Sequence, residues 1–318
     1  MSSRILFFGT SEFACPALEA LIKTGHQISA VITMPDKPAG RKQILTPPPV
    51  KVIAEKYGIP VLQPEKLDGF VPLLTKEGLG EVYDLFIVAA YGKIIPKEII
   101  DLPKFGTLNI HPSLLPRWRG PSPVQYTILN GDTDTGVCVM KIDELVDHGP
   151  ILAYHKSQVA DGVTYGALHD ELAQEGAQLL IKTLPKYLSG ELAPVDQDHT
   201  KSTFSKMLKK DDGRIDWKQP AEKIERMIRA FNPWPGTWTL LPTESKILRI
   251  RIEEAEVRED EYPGGSPGFV WCDTEGNMRI NTGAGSLLVQ RLTFEGKKPT
   301  VAKDFLRGYP GVIGKSLV

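Results

Sequence analysis

The chain has 318 residues, of which 41% are hydrophobic and 24% are charged, and its 38 basic residues nearly balance its 39 acidic ones. This composition excludes a disordered chain and a general polycation, so any contact with nucleic acid must come from a local patch. The length predicts two domains. The three cysteines lie far apart in the sequence and exclude a disulfide framework.

Apolar runs in this sequence are short. The first, over residues 5–8, is too brief for the core of a secretion signal, and none approaches the ~18 residues of a membrane-spanning helix. We therefore expect a cytoplasmic protein that makes no membrane contact.

Strands and helices alternate over the first 160 residues. Apolar runs that end at turn residues predict strands, and apolar residues at helical spacing predict the helices between them. The predicted strands are 5–8, 28–33, 84–90, 106–110 and 136–142, and the predicted helices are one that ends near Gly25, 50–57 and 123–129. The alternation predicts an α/β fold of the Rossmann type, in which a doubly wound, mostly parallel sheet has helices on both faces.

The pattern changes after a longer predicted helix over residues 164–188. A polar stretch over about 190–213 predicts a linker, and short β-like runs separated by Gly and Pro predict a small β-barrel similar to the OB fold. These runs are 236–241, 246–255, 268–272, 278–281 and 286–292. We therefore predict an α/β domain over residues 1–205 and a C-terminal barrel domain over residues 206–318.

Asn109 and His111 lie two residues apart at the end of a predicted strand, so their side chains share one face. Pro112 and Pro116 follow and fix the direction of the chain. An amide N–H can stabilise a developing oxyanion, and an imidazole can take or give a proton near neutral pH. From the pattern alone, a catalytic pair and a strand end that is merely packed are equally supported.

A cluster of carboxylates follows the next predicted strand. Asp147 lies in a turn marked by glycine and proline, where a carboxylate would orient the imidazole of His111. Asp143 and Glu144 are close in the sequence, and Asp is also a common turn residue. The pattern does not choose among the three.

Two segments are rich in basic residues. The proline-rich loop over residues 35–51 holds four basic residues against one acidic residue, and residues 278–318 hold seven against two. Such segments can contact RNA phosphates, although a solvated surface explains any single charge equally well. The basic residues are Lys37, Arg41, Lys42 and Lys51 in the loop, and Arg279, Arg291, Lys297, Lys298, Lys303, Arg307 and Lys315 near the C-terminus.

These motifs together resemble those of the formyltransferases that use 10-formyltetrahydrofolate. Three motifs resemble those of the superfamily as a whole: Asn-x-His at 109–111, Ser-Leu-Leu-Pro at 113–116 and the Asp-x-Gly turn at 147–149. Three further motifs resemble those of the subgroup that formylates methionyl-tRNA: Pro-Ala-Gly-Arg at 38–41, Phe-Asn-Pro-Trp-Pro at 231–235 and Glu-Gly-Lys-Lys-Pro at 295–299. The match extends over nearly the whole chain.

The resemblance implies a role for each group of motif residues. It implies that Asn109, His111 and Asp147 are catalytic. The implied folate-binding residues are Ser113, Leu114, Leu115 and Pro116, and the implied tRNA-binding residues are Lys37, Arg41 and Lys42. Members often carry further lysines where this chain has Gln43 and Ile44, so a shallower salt dependence of RNA binding is expected here.

The implied reaction transfers the formyl group of the co-substrate 10-formyltetrahydrofolate to the α-amino group of methionyl initiator tRNA, for use in translation initiation. The C-terminal barrel is then expected to help hold the tRNA. The reaction requires no metal, and the histidines show no metal-ligand spacing. No protein partner is implied.

Three alternatives remain open. A sister enzyme on the same catalytic core would formylate an amino sugar-nucleotide or glycinamide ribonucleotide and would not need the two basic segments. A non-catalytic RNA-binding protein would not need Asn109, His111 and Asp147. A hydrolase that releases formate from the folate would leave the RNA-facing features without a role.

Overall fold

The computed structural model describes residues 3–40, 43–67, 69, 74, 83–243, 247–294 and 296–318. The chain divides into two compact units. The first comprises Met1–Pro123, Asp134–Gln158 and His169–Ser205, and the second comprises Val124–Thr133, Val159–Leu168 and Lys206–Val318. Among the described residues, no helix is both long enough and apolar enough to cross a membrane.

The secondary structure up to residue 188 alternates between strands and helices. In chain order the elements are β1 (Arg4–Gly9), α1 (Cys15–Lys23), β2 (Gln27–Ile32), β3 (Lys37–Ala39), β4 (Ile44–Thr46), α2 (Pro49–Lys56), β5 (Val61–Leu62), β6 (Leu85–Ala89), α3 (Lys97–Ile100), β7 (Thr107–His111), α4 (Pro123–Asn130), β8 (Asp134–Lys141), β9 (Ile151–Gln158) and α5 (Tyr165–Leu188).

Seven of the described strands form one sheet in the order β5-β2-β1-β6-β7-β8-β9. The first five strands in this order, β5, β2, β1, β6 and β7, run parallel to one another. Strands β8 and β9 are antiparallel to their neighbours. This confirms the predicted doubly wound, mostly parallel fold. The central strands β1 and β6 are almost wholly buried, which explains why each is an unbroken apolar run in the sequence.

The register of the central strands brings their carboxyl ends to one edge of the sheet. Gly9 at the end of β1 pairs with Ala89 at the end of β6, and Val88 pairs with Asn109 of β7. His111, the last residue of β7, therefore lies at the edge where such sheets bind ligands.

Strand β9 does not correspond to any predicted strand. It is an edge strand whose middle residues, Tyr154, His155 and Lys156, are all exposed. Because three consecutive side chains are exposed, the alternation of apolar and polar residues that marks a half-buried strand is missing.

The second unit contains an antiparallel sheet with helices packed on it. Its elements after residue 206 are α6 (Ala221–Phe231), β10 (Thr237–Pro242), β11 (Ile247–Arg258), β12 (Val270–Cys272), β13 (Met278–Asn281), β14 (Ser286–Phe294), β15 (Thr300–Val301) and α7 (Ala302–Gly308). The strand order is β10-β11-β14-β13-β12, and β15 pairs with β14. Residues of both helices join the core of this sheet.

The last residues of the chain close this sheet into a small barrel, as predicted. The amide of Gly314 donates to the carbonyl of Val270 in β12 at 2.8 Å, and the amide of Val318 donates to that of Leu240 in β10 at 2.9 Å. The C-terminal segment therefore bridges the two outer strands and satisfies main-chain groups that an open sheet would leave unpaired.

The stretch over residues 190–213 is largely exposed, but parts of it are attached to the first unit. Val195 exchanges two main-chain hydrogen bonds of 2.8 Å with Ile151, and Gln197 and Ser205 are buried. The part of this stretch up to Ser205 therefore belongs to the first unit.

Candidate active site

Strand β7 and the turn after it carry the first two site residues. Asn109 is half-buried and His111 is only 4% exposed. The turn is closed by the amide of Ser113, which donates to the carbonyl of His111 at 2.9 Å, and by the Ser113 hydroxyl, which donates to the carbonyl of Arg117 at 2.6 Å. The turn is therefore tied to the strand end that presents the imidazole.

The imidazole of His111 has a protein oxygen beside each ring nitrogen. Nε2 lies 3.0 Å from the carbonyl oxygen of Trp118, and Nδ1 lies 3.5 Å from Oδ1 of Asp147. Because a carbonyl only accepts, Nε2 carries the proton, and Nδ1 is protonated only in the imidazolium form. The main chain of Trp118 thus holds the ring in place, while Asp147 faces it at a longer, ion-pair distance.

The carboxylate of Asp147 connects the three predicted catalytic residues. Its Oδ1 lies 3.4 Å from Nδ2 of Asn109, and its Oδ2 accepts a hydrogen bond of 2.8 Å from the amide of Gly120. Asp147 has a φ of 47°, in the left-handed region that residues other than glycine seldom adopt. Asn109, His111 and Asp147 therefore meet at the carboxyl edge of the sheet.

The other two carboxylates of this loop have different partners. Oδ2 of Asp143 lies 2.6 Å from Nδ1 of His148, and Glu144 forms an ion pair of 3.1 Å with Lys97. Of the three carboxylates that the local pattern left open, the structure brings Asp147, the one that the family resemblance implied, to His111.

Four residues at this site were missed by sequence reasoning. They are Trp118, Arg119, Gly120 and Gln197. The sequence did contain a signal for Gly120, because it is a glycine that follows the proline-bracketed turn. The structure shows why glycine is needed there: its φ is 104°, and a Cβ at this position would lie 2.5 Å from the carbonyl oxygen of Ser205. Gln197 lies in the stretch that reads as a linker, where nothing in the local pattern marks it.

The predicted folate-binding residues form the turn beside this site. The side chains of Ser113 and Leu115 are buried, and Leu115 packs with Cys138 and Met140. The Cys138 thiol donates to the carbonyl of Ser113 at 3.0 Å, and burial raises the pKa of this thiol to about 12, so it stays protonated. Ser113 and Leu115 thus shape the turn from inside, whereas Leu114 and Pro116 are half-buried.

Of the predicted tRNA-binding residues, Lys37 is exposed in β3, and Arg41 and Lys42 lie outside the described residues. Strands β3 and β4 pair as a hairpin, so the proline-rich loop contains regular structure. At the base of the hairpin, Nζ of Lys51 lies 2.9 Å from both carboxylate oxygens of Asp36. Hydrogen bonds from Gln63 and then Lys51 lower the pKa of Asp36. The positive charge of Lys51 is balanced by the Asp36 carboxylate in this ion pair.

The basic residues near the C-terminus are not equivalent. Arg279 is 5% exposed and donates through Nη2 to Asp260 and to the hydroxyl of Ser286, so it cannot belong to a phosphate-binding surface. The exposed basic residues of this segment are Arg291, Lys297, Lys298, Lys303, Arg307 and Lys315.

Comparison with known proteins identifies the family. The formyl transferase family matches residues 3–184, and its C-terminal domain matches residues 207–310. Methionyl-tRNA formyltransferase from Citrifermentans bemidjiense is 42% identical over 317 residues, which cover 98% of this chain and 96% of that protein. The chain belongs to the methionyl-tRNA formyltransferase family. The enzyme of the same name from Chloroflexus aurantiacus is 43% identical over 305 residues, 96% of each chain.

Solved structures share the formyltransferase fold. HypX from Aquifex aeolicus in complex with tetrahydrofolic acid superposes with a TM-score of 0.65 at 18% identity, over 96% of this chain and 47% of HypX. The chain thus spans about half the length of HypX. The sugar 3N-formyl transferase WlaRD superposes with a TM-score of 0.63 at 20% identity, over 94% of this chain and 100% of WlaRD. The family that the sequence motifs indicate is confirmed by the family match and the relatives of 42% and 43% identity, and the solved structures share its fold.

The formyltransferase family uses 10-formyltetrahydrofolate as its formyl donor. Among the described residues, no three His, Cys, Asp or Glu side chains come together in a way that could hold a metal ion.

Proposed function

We propose that this chain transfers the formyl group of 10-formyltetrahydrofolate to the α-amino group of methionyl initiator tRNA, giving N-formylmethionyl-tRNA for translation initiation in the cytoplasm. The observation that carries the proposal is the 42% identity to a methionyl-tRNA formyltransferase over 98% of the chain. The meeting of Asn109, His111 and Asp147 at the carboxyl edge of the sheet supports it.

Asn109 is proposed to stabilise the oxyanion. When the amine attacks the formyl carbon, a C–N bond forms and negative charge develops on the formyl oxygen. The Asn109 amide carries two hydrogens, so it can face Asp147 with one and donate the other to this oxygen. A donor aimed at a developing oxyanion contributes about 10²–10³-fold in rate.

Asp147 and His111 are proposed to move the proton. The amine must lose a proton, and N10 of the folate must gain one as its bond to the formyl carbon breaks. Oδ1 of Asp147 is available as an acceptor because its two neighbours lie at 3.4 and 3.5 Å, at the outer limit of a hydrogen bond. Protonated at Nδ1, His111 would stabilise the same carboxylate and assist the transfer.

Exposed apolar side chains beside the carboxyl edge are proposed to cover the folate ring system, together with the turn over residues 113–116. Ile94, which is 88% exposed, follows β6, and Leu145 and Val146, both exposed, directly precede Asp147. Large exposed apolar side chains near a catalytic group are typical of a ligand site.

Two basic surfaces are proposed to bind the tRNA. One contains Lys37 of β3 and includes Arg41 and Lys42, which follow it in the sequence, and the other is the set of exposed basic residues after β13 in the C-terminal domain. We propose accordingly that residues 1–205 are catalytic and that residues 206–318 help to hold the tRNA. Phosphate contacts of this kind make binding salt-dependent.

Formyl transfer from 10-formyltetrahydrofolate would test the proposal, with initiator methionyl-tRNA, a set of amino sugar-nucleotides, glycinamide ribonucleotide and a water-only sample as acceptors. Formylated methionyl-tRNA as the product is the expected result. Transfer only to one of the small acceptors, or release of free formate, would overturn the proposed substrate.

A further inference from the structure

Asp147 is held in an unfavourable main-chain conformation, and a neighbouring side chain supports it. Its φ of 47° is stable only where surrounding contacts enforce it. The side-chain amide of Gln197 donates to the carbonyl oxygen of Asp147 at 2.9 Å and to that of Gly149 at 2.7 Å. These two bonds fix the main chain on both sides of His148.

The orientation of the Gln197 amide follows from its other contact. Gln197 is 6% exposed, and its Oε1 lies 3.2 Å from Nε and 2.8 Å from Nη2 of Arg119. Because a guanidinium only donates, the oxygen of the amide must face Arg119, and the NH₂ group must face the two carbonyls. All the hydrogen-bonding capacity of Gln197 is then used.

Arg119 is itself immobilised. It is 4% exposed, its amide donates to the carbonyl of Thr203 at 2.9 Å, and its carbonyl accepts from Ser205 at 2.7 Å. Its Nη2 also lies 2.8 Å from Nδ1 of His199, which therefore accepts without a proton. The next residue, Gly120, donates its amide to Oδ2 of Asp147.

Two adjacent residues thus hold Asp147. Gly120 binds its carboxylate directly, and Arg119 supports its main chain through Gln197. We propose that Gln197 and Arg119 are positioning residues, which hold the Asp147 carboxylate against Asn109 and His111. The inference rests on the proposed function, because it concerns the alignment of the same catalytic residues.

Gln197→Glu separates this role from simple packing. The substituted side chain keeps its size and its acceptor for Arg119, but it loses both donors to the carbonyls of Asp147 and Gly149. We expect kcat for formyl transfer to fall about 10²-fold, the effect of misplacing a catalytic group by about 1 Å, with little change in KM for folate or tRNA. Gln174→Glu on α5, an exposed position, is the matched control and is expected to keep the wild-type kcat.

A second variant excludes an effect of the new charge. In Gln197→Met the side chain keeps a similar length but has no charge and no hydrogen-bond donors. The same fall in kcat is expected. Wild-type kcat in either Gln197 variant would overturn the proposal. Failure of both variants to fold would overturn it too, since Gln197 would then support the fold rather than the alignment of the site.

A measurement without substrates distinguishes this proposal from the proposed function. The ¹⁵N chemical shifts of the His111 ring report the group that faces Nδ1, and we expect them to change in Gln197→Glu and Gln197→Met but not in Gln174→Glu. Unchanged shifts would contradict the positioning role. If the wild-type protein formylates a different acceptor, the proposed function fails, but this experiment still decides the positioning role.

Discussion

The main-chain amide of Gly120 donates a hydrogen bond of 2.8 Å to Oδ2 of Asp147. This contact occupies one carboxylate oxygen and turns the other, Oδ1, towards Asn109 and His111. One oxygen therefore anchors the side chain, and the other is free for proton transfer. A carboxylate that had to do both with a single oxygen would lose its orientation whenever it took up a proton.

Substitution of His111 tests the proposed proton transfer. His111→Ala is expected to lower kcat for formyl transfer by about 10²–10⁴-fold, the usual contribution of a positioned acid or base, and to leave folate affinity nearly unchanged. Steady-state kinetics and a folate-binding titration would measure the two effects. His155→Ala, at an exposed site on β9, is the matched control; normal turnover in His111→Ala would remove this residue from the mechanism.

The basic loop is tested through the salt dependence of tRNA binding. Arg41→Ala is expected to raise KM for tRNA and to flatten the slope of log affinity against log salt, because one fewer counterion is released. Lys186→Ala, an exposed residue near the end of α5, should leave both unchanged. A loss of folate affinity in Arg41→Ala would mean that the loop serves the folate site instead.

The Asp36–Lys51 ion pair at the base of the β3–β4 hairpin makes the stability of the folded protein depend on pH in a defined direction. Hydrogen bonds from Gln63 and Lys51 lower the pKa of Asp36 in the folded protein, so the folded carboxylate binds fewer protons than the unfolded one. Its stabilising effect is then complete above the unfolded pKa of about 3.9 and is lost as the pH falls through the lower folded value.

The difference in melting temperature between wild type and Asp36→Asn should therefore be constant from about pH 8 to pH 5 and shrink below about pH 4. The control is Asp134, whose carboxylate pairs with Lys156 at an exposed site. Its substitution, Asp134→Asn, should change the melting temperature little. A difference that grows on acidification would contradict the assignment.

Arg279 is expected to support the barrel and not the RNA. Arg279→Ala leaves the buried hydroxyl of Ser286 without this donor, and a lost partner of this kind costs about 1–3 kcal/mol of unfolding free energy. Denaturant unfolding and KM for tRNA would be measured together. Lys298→Ala, at an exposed position, is expected to give the reverse result, with unchanged stability and a raised KM.

Several predicted elements agree closely with the structure for identifiable reasons. Strands β1 and β6 are buried on both faces, so their apolar runs stand out from the rest of the sequence. The predicted strand over residues 278–281 coincides with β13, which is bounded by turns on both sides. The β3–β4 hairpin was not predicted, because its strands are three residues long and the described side chains of β4 are all exposed.

Local sequence patterns were sufficient for the fold class of each domain, for the central strands β1 and β6 and for the shared face of Asn109 and His111, because each of these follows from the pattern of residues within single elements. Asp143, Glu144 and Asp147 share one loop, so the local pattern left all three open, and only the family resemblance implied Asp147. The partner of each carboxylate was decided by the tertiary structure, in which Asp143 faces His148, Glu144 faces Lys97 and Asp147 faces His111. The same holds for Gln197, whose contact with Arg119 joins residues 78 positions apart. Contacts of that range leave no periodic trace along the chain, because they arise from how the folded elements meet.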